Sequence, residues 1–183
     1  MTAQERPRIL YVAKEAIVRY TTSCLYFALP NWLSRHCPMA LVCPRPPQGE
    51  EISFKNNLVS LNYIEHGFRG LIETALTAAR VAIRENCDVV ITGIDEISLL
   101  AGIYASVKKG CPLVVVCHDH PFLSRYHDAG NPFRLPEKLV RIQVLRLLLR
   151  RPALILCFIE KEVLGFLKIP TQRLMQMRNG FDD

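Results

Sequence analysis

The sequence predicts an α/β fold with a doubly wound, mainly parallel sheet flanked by helices, and two observations carry that prediction. Short apolar runs rich in β-branched residues recur without polar alternation, as strands buried on both faces do. Stretches with helical spacing separate these runs, and strands that alternate with helices build a parallel sheet. At 183 residues the chain is long enough for one domain with a large single core.

The first run, Arg8 to Ala13, reads as a buried strand. A helix follows over about 21–35, carrying Leu25, Phe27, Ala28, Trp32 and Leu33, with Pro30 expected to kink it or to open a second helix. Met39 to Cys43 and Val59 to Ile64 are the next strands. Between them, Pro44 to Gly49 is a stiff surface turn and not a domain boundary. From Phe68 to about Glu85 the apolar positions Phe68, Ile72, Ala75, Leu76, Ala79, Ala82 and Ile83 mark the clearest amphipathic helix. Asp88 to Thr92 is a strand, Asp95 to Lys109 a helix ended by Gly110 as its C-cap, and Pro112 to Cys117 the strongest strand. A helix over 136–150, a strand from Ala153 to Phe158, a helix from Glu160 to Leu167 and a strand from Arg173 to Met177 complete the series. The final Asn179-Gly180-Phe181-Asp182 reads as a turn that opens onto a further domain.

The N-terminus lacks the apolar core of a secretory signal. The longest apolar stretch, Leu139 to Ile159, is interrupted by Arg141, Arg146, Arg150 and Arg151 and broken by Pro152, so it is not expected to span a membrane. The seven cysteines include no Cys-x-x-Cys pair, and Cys43, Cys117 and Cys157 sit inside apolar strands as small hydrophobes. Reduced structural thiols in a cytoplasmic protein are the expectation. The net charge of +6 favours anionic partners: nucleotide sugars, phospholipid headgroups or nucleic acid.

In open α/β sheets ligands bind beyond the carboxyl ends of the strands. This directs attention to Lys14–Thr22, Thr92–Glu96 and His118–Asp128. The third loop holds three of the five histidines, His118, His120 and His127. It admits a metal site, polar recognition of sugar hydroxyls or a phosphate, or a plain solvated loop. His118, directly on the end of the strongest strand, is the leading candidate. Two phosphate cradles are excluded. No Gly-x-x-x-x-Gly-Lys-Ser/Thr occurs, and the first strand is followed by no glycine before Gly49, so neither a P-loop nor an ordinary dinucleotide site is present. On the helix at 136–150, Lys138, Arg141, Arg146 and Arg150 spread over about half the circumference. That pattern fits a mostly buried helix with snorkelling arginines, or contact with a membrane surface.

Taken in order, these pieces resemble the N-terminal domain of family 4 glycosyltransferases, which have the two-domain GT-B fold. The resemblance covers nearly the whole chain. It rests on Arg8-Ile9-Leu10-Tyr11-Val12, Asp88-Val89-Val90-Ile91-Thr92, Leu99-Leu100-Ala101-Gly102, Gly110-Cys111-Pro112 through His118-Asp119, and Asn179-Gly180-Phe181-Asp182. It implies that His118 is the catalytic histidine near the transferred sugar. By the resemblance Asn179 and Gly180 form the interdomain hinge, while Asp119, Glu15, Arg19, Thr92 and Asp95, all in the loops beyond the strand ends, are the expected substrate-binding residues. Residues 18–22, Val-Arg-Tyr-Thr-Thr, depart from the two glycines that the family usually places near the donor phosphates.

The activity implied is transfer of a sugar, with retention, from a nucleotide diphosphate sugar to a sugar or lipid-linked acceptor. No cofactor and no metal are required, and no nucleic acid is a partner; contact with the inner face of a membrane is compatible. With residues 1–183 forming the acceptor-side domain and the donor-binding domain absent, the chain alone is expected to be silent. Two alternatives stay open: a non-catalytic Rossmann-like binding module, and a metal-dependent hydrolase using the His118/His120/His127 loop.

Overall fold

The computed structural model describes residues 6–13, 24–46, 58–64, 68–117, 135–157 and 167–177. Seven strands form one sheet in the order β3-β2-β1-β4-β5-β6-β7, and each neighbouring pair is parallel. The strands are β1 (Ile9–Val12), β2 (Met39–Pro44), β3 (Leu58–Ile64), β4 (Val89–Gly93), β5 (Leu113–Cys117), β6 (Leu154–Cys157) and β7 (Leu174–Gln176). Four helices are described: α1 (Cys24–His36), α2 (Phe68–Arg84), α3 (Glu96–Lys109) and α4 (Leu135–Leu148). The expected fold class holds, and the shared element boundaries agree to within a few residues. The helix expected from Glu160 lies mainly outside the described residues, where only Leu167 belongs to the described set.

Because successive side chains of a strand point to opposite faces, each strand feeds two cores. Leu10, Val12, Ala40, Val42, Val90, Val115 and Ile155 face one way and pack with Ala78, Val81 and Ala82 of α2, Leu99 and Ala105 of α3, and Leu145 of α4. Ile9, Tyr11, Met39, Leu41, Ile91 and Val116 face the other way and pack with Leu29 and Leu33 of α1. The sheet is thus covered by α1 on one side and by α2, α3 and α4 on the other. This is what right-handed crossovers give when the chain runs outward from β1 to β3 and then returns to β4.

Three details differ from expectation. Helix α1 runs through Pro30 as one helix, so Pro30, itself buried, opens no second helix. On α2 the core face is rotated: Ile72 and Ile83 are 61% and 56% exposed, and Thr74, Ala78, Ala79, Val81 and Ala82 are buried. Small residues on that face allow close helix approach, and the Thr74 hydroxyl donates back to the Gly70 carbonyl. Strand β3 is not buried on both faces, because it lies at the sheet edge with Val59 and Tyr63 exposed. The Arg45 guanidinium sits over Tyr63 there, 5.3 Å from the ring centroid.

The cysteine expectation is met for Cys43, Cys117 and Cys157, which are buried and form no disulfide among the described residues. Among the described residues no helix is long and apolar enough to cross a membrane.

Candidate functional site

Strand order reverses between β1 and β4, the two strands that continue in opposite directions across the sheet. At such a switch point the loops leaving adjacent strands diverge and open a crevice at the carboxyl edge. Val12, Thr92 and Val115 lie side by side at this edge, since Val12 pairs with Thr92 and Thr92 with Val115. The main-chain amide of Ala13, next along, donates to Val42 at 2.9 Å and holds the end of β1 against β2.

From Thr92 the chain turns through Gly93 and Ile94 into α3. Asp95 is the N-cap, with φ −67° and ψ 151°, and its Oδ1 accepts from the Ser98 amide at 2.9 Å. Its carbonyl accepts from the Leu99 amide at 2.9 Å, the first bond of the helix. Glu96 adds a second carboxylate in the first turn. Both suit the positive end of the helix dipole. Since Asp95 already caps these amides, this helix end is poorly disposed to take a phosphate. A ligand that offers hydroxyl donors to a carboxylate fits it better.

Beneath the turn, Thr92 and Ser98 are fully buried, and among the described residues neither Thr92 Oγ1 nor Ser98 Oγ has a hydrogen-bond partner. Buried hydroxyls without partners are uncommon. Ser98 is the polar residue that sequence reasoning missed. Its signal was a short hydroxyl three positions after an acidic N-cap in an otherwise apolar helix.

Gly102, one turn after Ser98, explains the closeness of α3 to the sheet. A Cβ at this position would lie 2.9 Å from Thr92 Cγ2 and 3.2 Å from Leu113 Cδ1. Gly102→Ala is therefore expected to cost about 1–3 kcal/mol through overpacking, read as a lowered urea midpoint. It should also disturb the Thr92 and Asp95 turn.

Of the residues expected at the site, Thr92 and Asp95 lie together at the carboxyl edge, at the end of β4 and the start of α3. Glu15, Arg19, His118, Asp119, Asn179 and Gly180 lie outside the described residues, as do His120 and His127. Among the described residues no group of three metal-ligating side chains is clustered.

At the opposite, amino edge, Cys87 and Cys111 precede β4 and β5. Burial pushes the Cys87 thiol up to about 11, helped by Cys111, Glu85 and Asp88 and opposed by Lys109. Burial also raises the Cys111 thiol. Two pKa units above an ordinary thiol reduce the thiolate fraction about 100-fold. Alkylation of native Cys87 by iodoacetamide at pH 8 is accordingly expected to be at least that much slower than in urea, followed by peptide mass spectrometry.

No protein-family model matches the sequence, and no curated protein matches it. Solved structures do match its fold. A UDP-N-acetylglucosamine 2-epimerase from Rickettsia bellii aligns with a TM-score of 0.61 at 12% identity, over 94% of this chain and 44% of the epimerase. The Anabaena protein HepE, solved with UDP and glucose, aligns with a TM-score of 0.60 at 15% identity, over 97% of this chain and 45% of HepE. A glycosyltransferase from Rickettsia africae ESF-5 aligns with a TM-score of 0.58 at 9% identity, over 97% of this chain and 44% of its own. The chain spans less than half the length of these structures. Its fold is the Rossmann-like α/β fold seen in one half of these two-domain, GT-B-type structures.

Proposed function

We propose that the chain is the N-terminal, acceptor-side half of a retaining glycosyltransferase of the family 4 type, using a nucleotide diphosphate sugar. The observation that carries this reading is the pattern of coverage. Nearly all of the chain aligns with a UDP-N-acetylglucosamine 2-epimerase, a protein solved with UDP and glucose, and a glycosyltransferase, yet it spans less than half of each. A second observation fits the acceptor side. The carboxyl edge offers a carboxylate-capped helix end at Asp95, suited to sugar hydroxyls and poorly suited to a diphosphate.

In this reading His118, which follows β5, acts on the transferred sugar. Thr92, Asp95 and Asp119 orient the acceptor, and Glu15 and Arg19 line the crevice beside β1. Asn179 and Gly180 form the hinge to a donor-binding half. A sugar or lipid-linked sugar is the acceptor. Stabilisation of the departing diphosphate comes mainly from the other half.

The test is sugar transfer from UDP-glucose and UDP-N-acetylglucosamine by the 183-residue chain alone and with a donor-binding half. Activity only in combination supports the proposal, and measurable transfer by the chain alone overturns it. One sequence feature favours a non-catalytic binding module of the same fold: the loop at 18–22 lacks glycine. Silence in combination, with saccharide binding retained, selects that reading.

A further inference from the structure

The large apolar residues of α2 are exposed and have no use in the sugar-binding reading. At about 100° per residue Ile72, Leu76 and Ile83 fall within about 40° of one another, and all three are exposed. On α3, which packs beside α2, Ile97 and Tyr104 are exposed as well. Single apolar side chains scattered on a surface are ordinary, but a row of large ones along one helix marks an interaction face.

The charges beside this row carry both signs. Glu73 and Arg80, both exposed, lie about 20° apart on one flank of the row and about two turns apart along the axis. About 10 Å of helix separates them, so they do not pair with each other. Arg84, next on that flank, pairs with Glu85 at 2.8 Å, and among the described residues Glu73 and Arg80 have no ion-pair partner. These positions share one centre. Ile72 and Ile83 are centred between Thr77 and Ala78, Glu73 and Arg80 between Leu76 and Thr77, and Leu76 lies beside both centres. A two-fold axis through that point, with the helices antiparallel, sets Ile72 on Ile83 of a second copy and Leu76 on its own equivalent. On the same flank Glu73 meets Arg80 of the second copy, and this pair occurs twice. Such self-complementarity is what an isologous contact requires.

We infer that the chain self-associates through α2, as a two-fold dimer in which the α2 helices of two copies pack antiparallel. The isoleucines and Leu76 form its apolar centre, and the two Glu73–Arg80 pairs fix its register. An anionic lipid surface fits this face poorly, because Glu73 stands on the same flank as Arg80. At 17 residues α2 is about 25 Å long. Even with the near side of α3 added, the contact lies at the low end of specific interface sizes, so a weak dimer is expected. The face belongs to the outer side of the helix layer, and none of its residues belongs to the sugar site, so dimerisation and sugar binding can fail independently.

The experiment is sedimentation equilibrium of the 183-residue chain over a concentration series that reaches about 500 μM. A monomer–dimer equilibrium is expected, with a dissociation constant of about 10–100 μM for a contact of this size. Arg80→Glu alone sets like charges against each other at two places and should weaken the dimer about tenfold or more, and Glu73→Arg alone should do the same. The two changes together restore opposite signs across the contact, and should return the constant to within about threefold of the original. Ile72→Ser with Ile83→Ser should leave only monomer, with the far-UV spectrum unchanged because both positions are exposed. The inference is overturned by a chain that stays monomeric throughout, by single reversals that associate like the original, or by a double reversal that does not recover. A dimer that survives the serine pair also overturns it, as does a monomer that binds phosphatidylglycerol vesicles in a manner the serine pair abolishes.

Discussion

Truncating Leu99 to alanine is expected to destabilise the chain by about 2–5 kcal/mol, the range for removing a fully buried leucine side chain. Leu99 has no exposed surface and belongs to the core shared by α2, α3 and the sheet. Its amide also makes the first helical bond, to the Asp95 carbonyl. The cost therefore falls where α3 is seated against β4, and close relaxation is hindered by the tight packing of Gly102 on Thr92 and Leu113. Val107→Ala on the same helix, at a position 65% exposed, is the control. It should change stability by no more than about 0.5 kcal/mol. Urea titrations of the two variants, followed by far-UV circular dichroism, check both values; equal midpoints would contradict the packing described.

The second large effect concerns His118. In a closed cleft a hydrogen-bond donor directed at the reacting sugar is worth about 10²–10³ in rate, because water no longer competes. His118→Ala, assayed in the presence of a donor-binding half, is expected to lower sugar transfer by that factor and to leave the KM for the nucleotide sugar little changed. An unchanged rate would remove His118 from the chemistry. A raised KM with normal turnover would reassign it to ground-state binding.

Much of the fold was legible because each strand is a short apolar run and each helix begins or ends on a marked residue. Gly110 was readable as a C-cap, and it adopts φ +74°, where a side chain is strained. Strand order was less legible, since local pattern does not say which strand lies at an edge; β3 looked like any other run until Val59 and Tyr63 were found exposed. On α2 the large residues Ile72, Leu76 and Ile83 were read as core. Of the expected positions Ala79 and Ala82 are buried, and they share the buried face with Thr74, Ala78 and Val81, because close helix approach favours small side chains over large ones. Thr92 and Asp95 could be placed from the rule that ligands gather at carboxyl edges. Ser98 was missed, because a buried hydroxyl leaves no periodic trace and its offset of three from Asp95 was the signal that could have found it. His118, Asp119, Glu15 and Arg19 follow from the same rule and Asn179 and Gly180 from the resemblance, and all six lie outside the described residues.

The central claim is that the carboxyl edge of this sheet is a saccharide-binding wall. Its most direct test is amide chemical-shift mapping of the 183-residue chain, titrated with mono- and disaccharides, with UDP and with UDP-glucose. The expected result is saccharide-dependent shifts concentrated at Ala13, Thr92, Gly93, Asp95, Ser98 and His118, with little response to UDP alone. Shifts that instead gather at the amino edge around Cys87 and Cys111, or none with any saccharide, would contradict it.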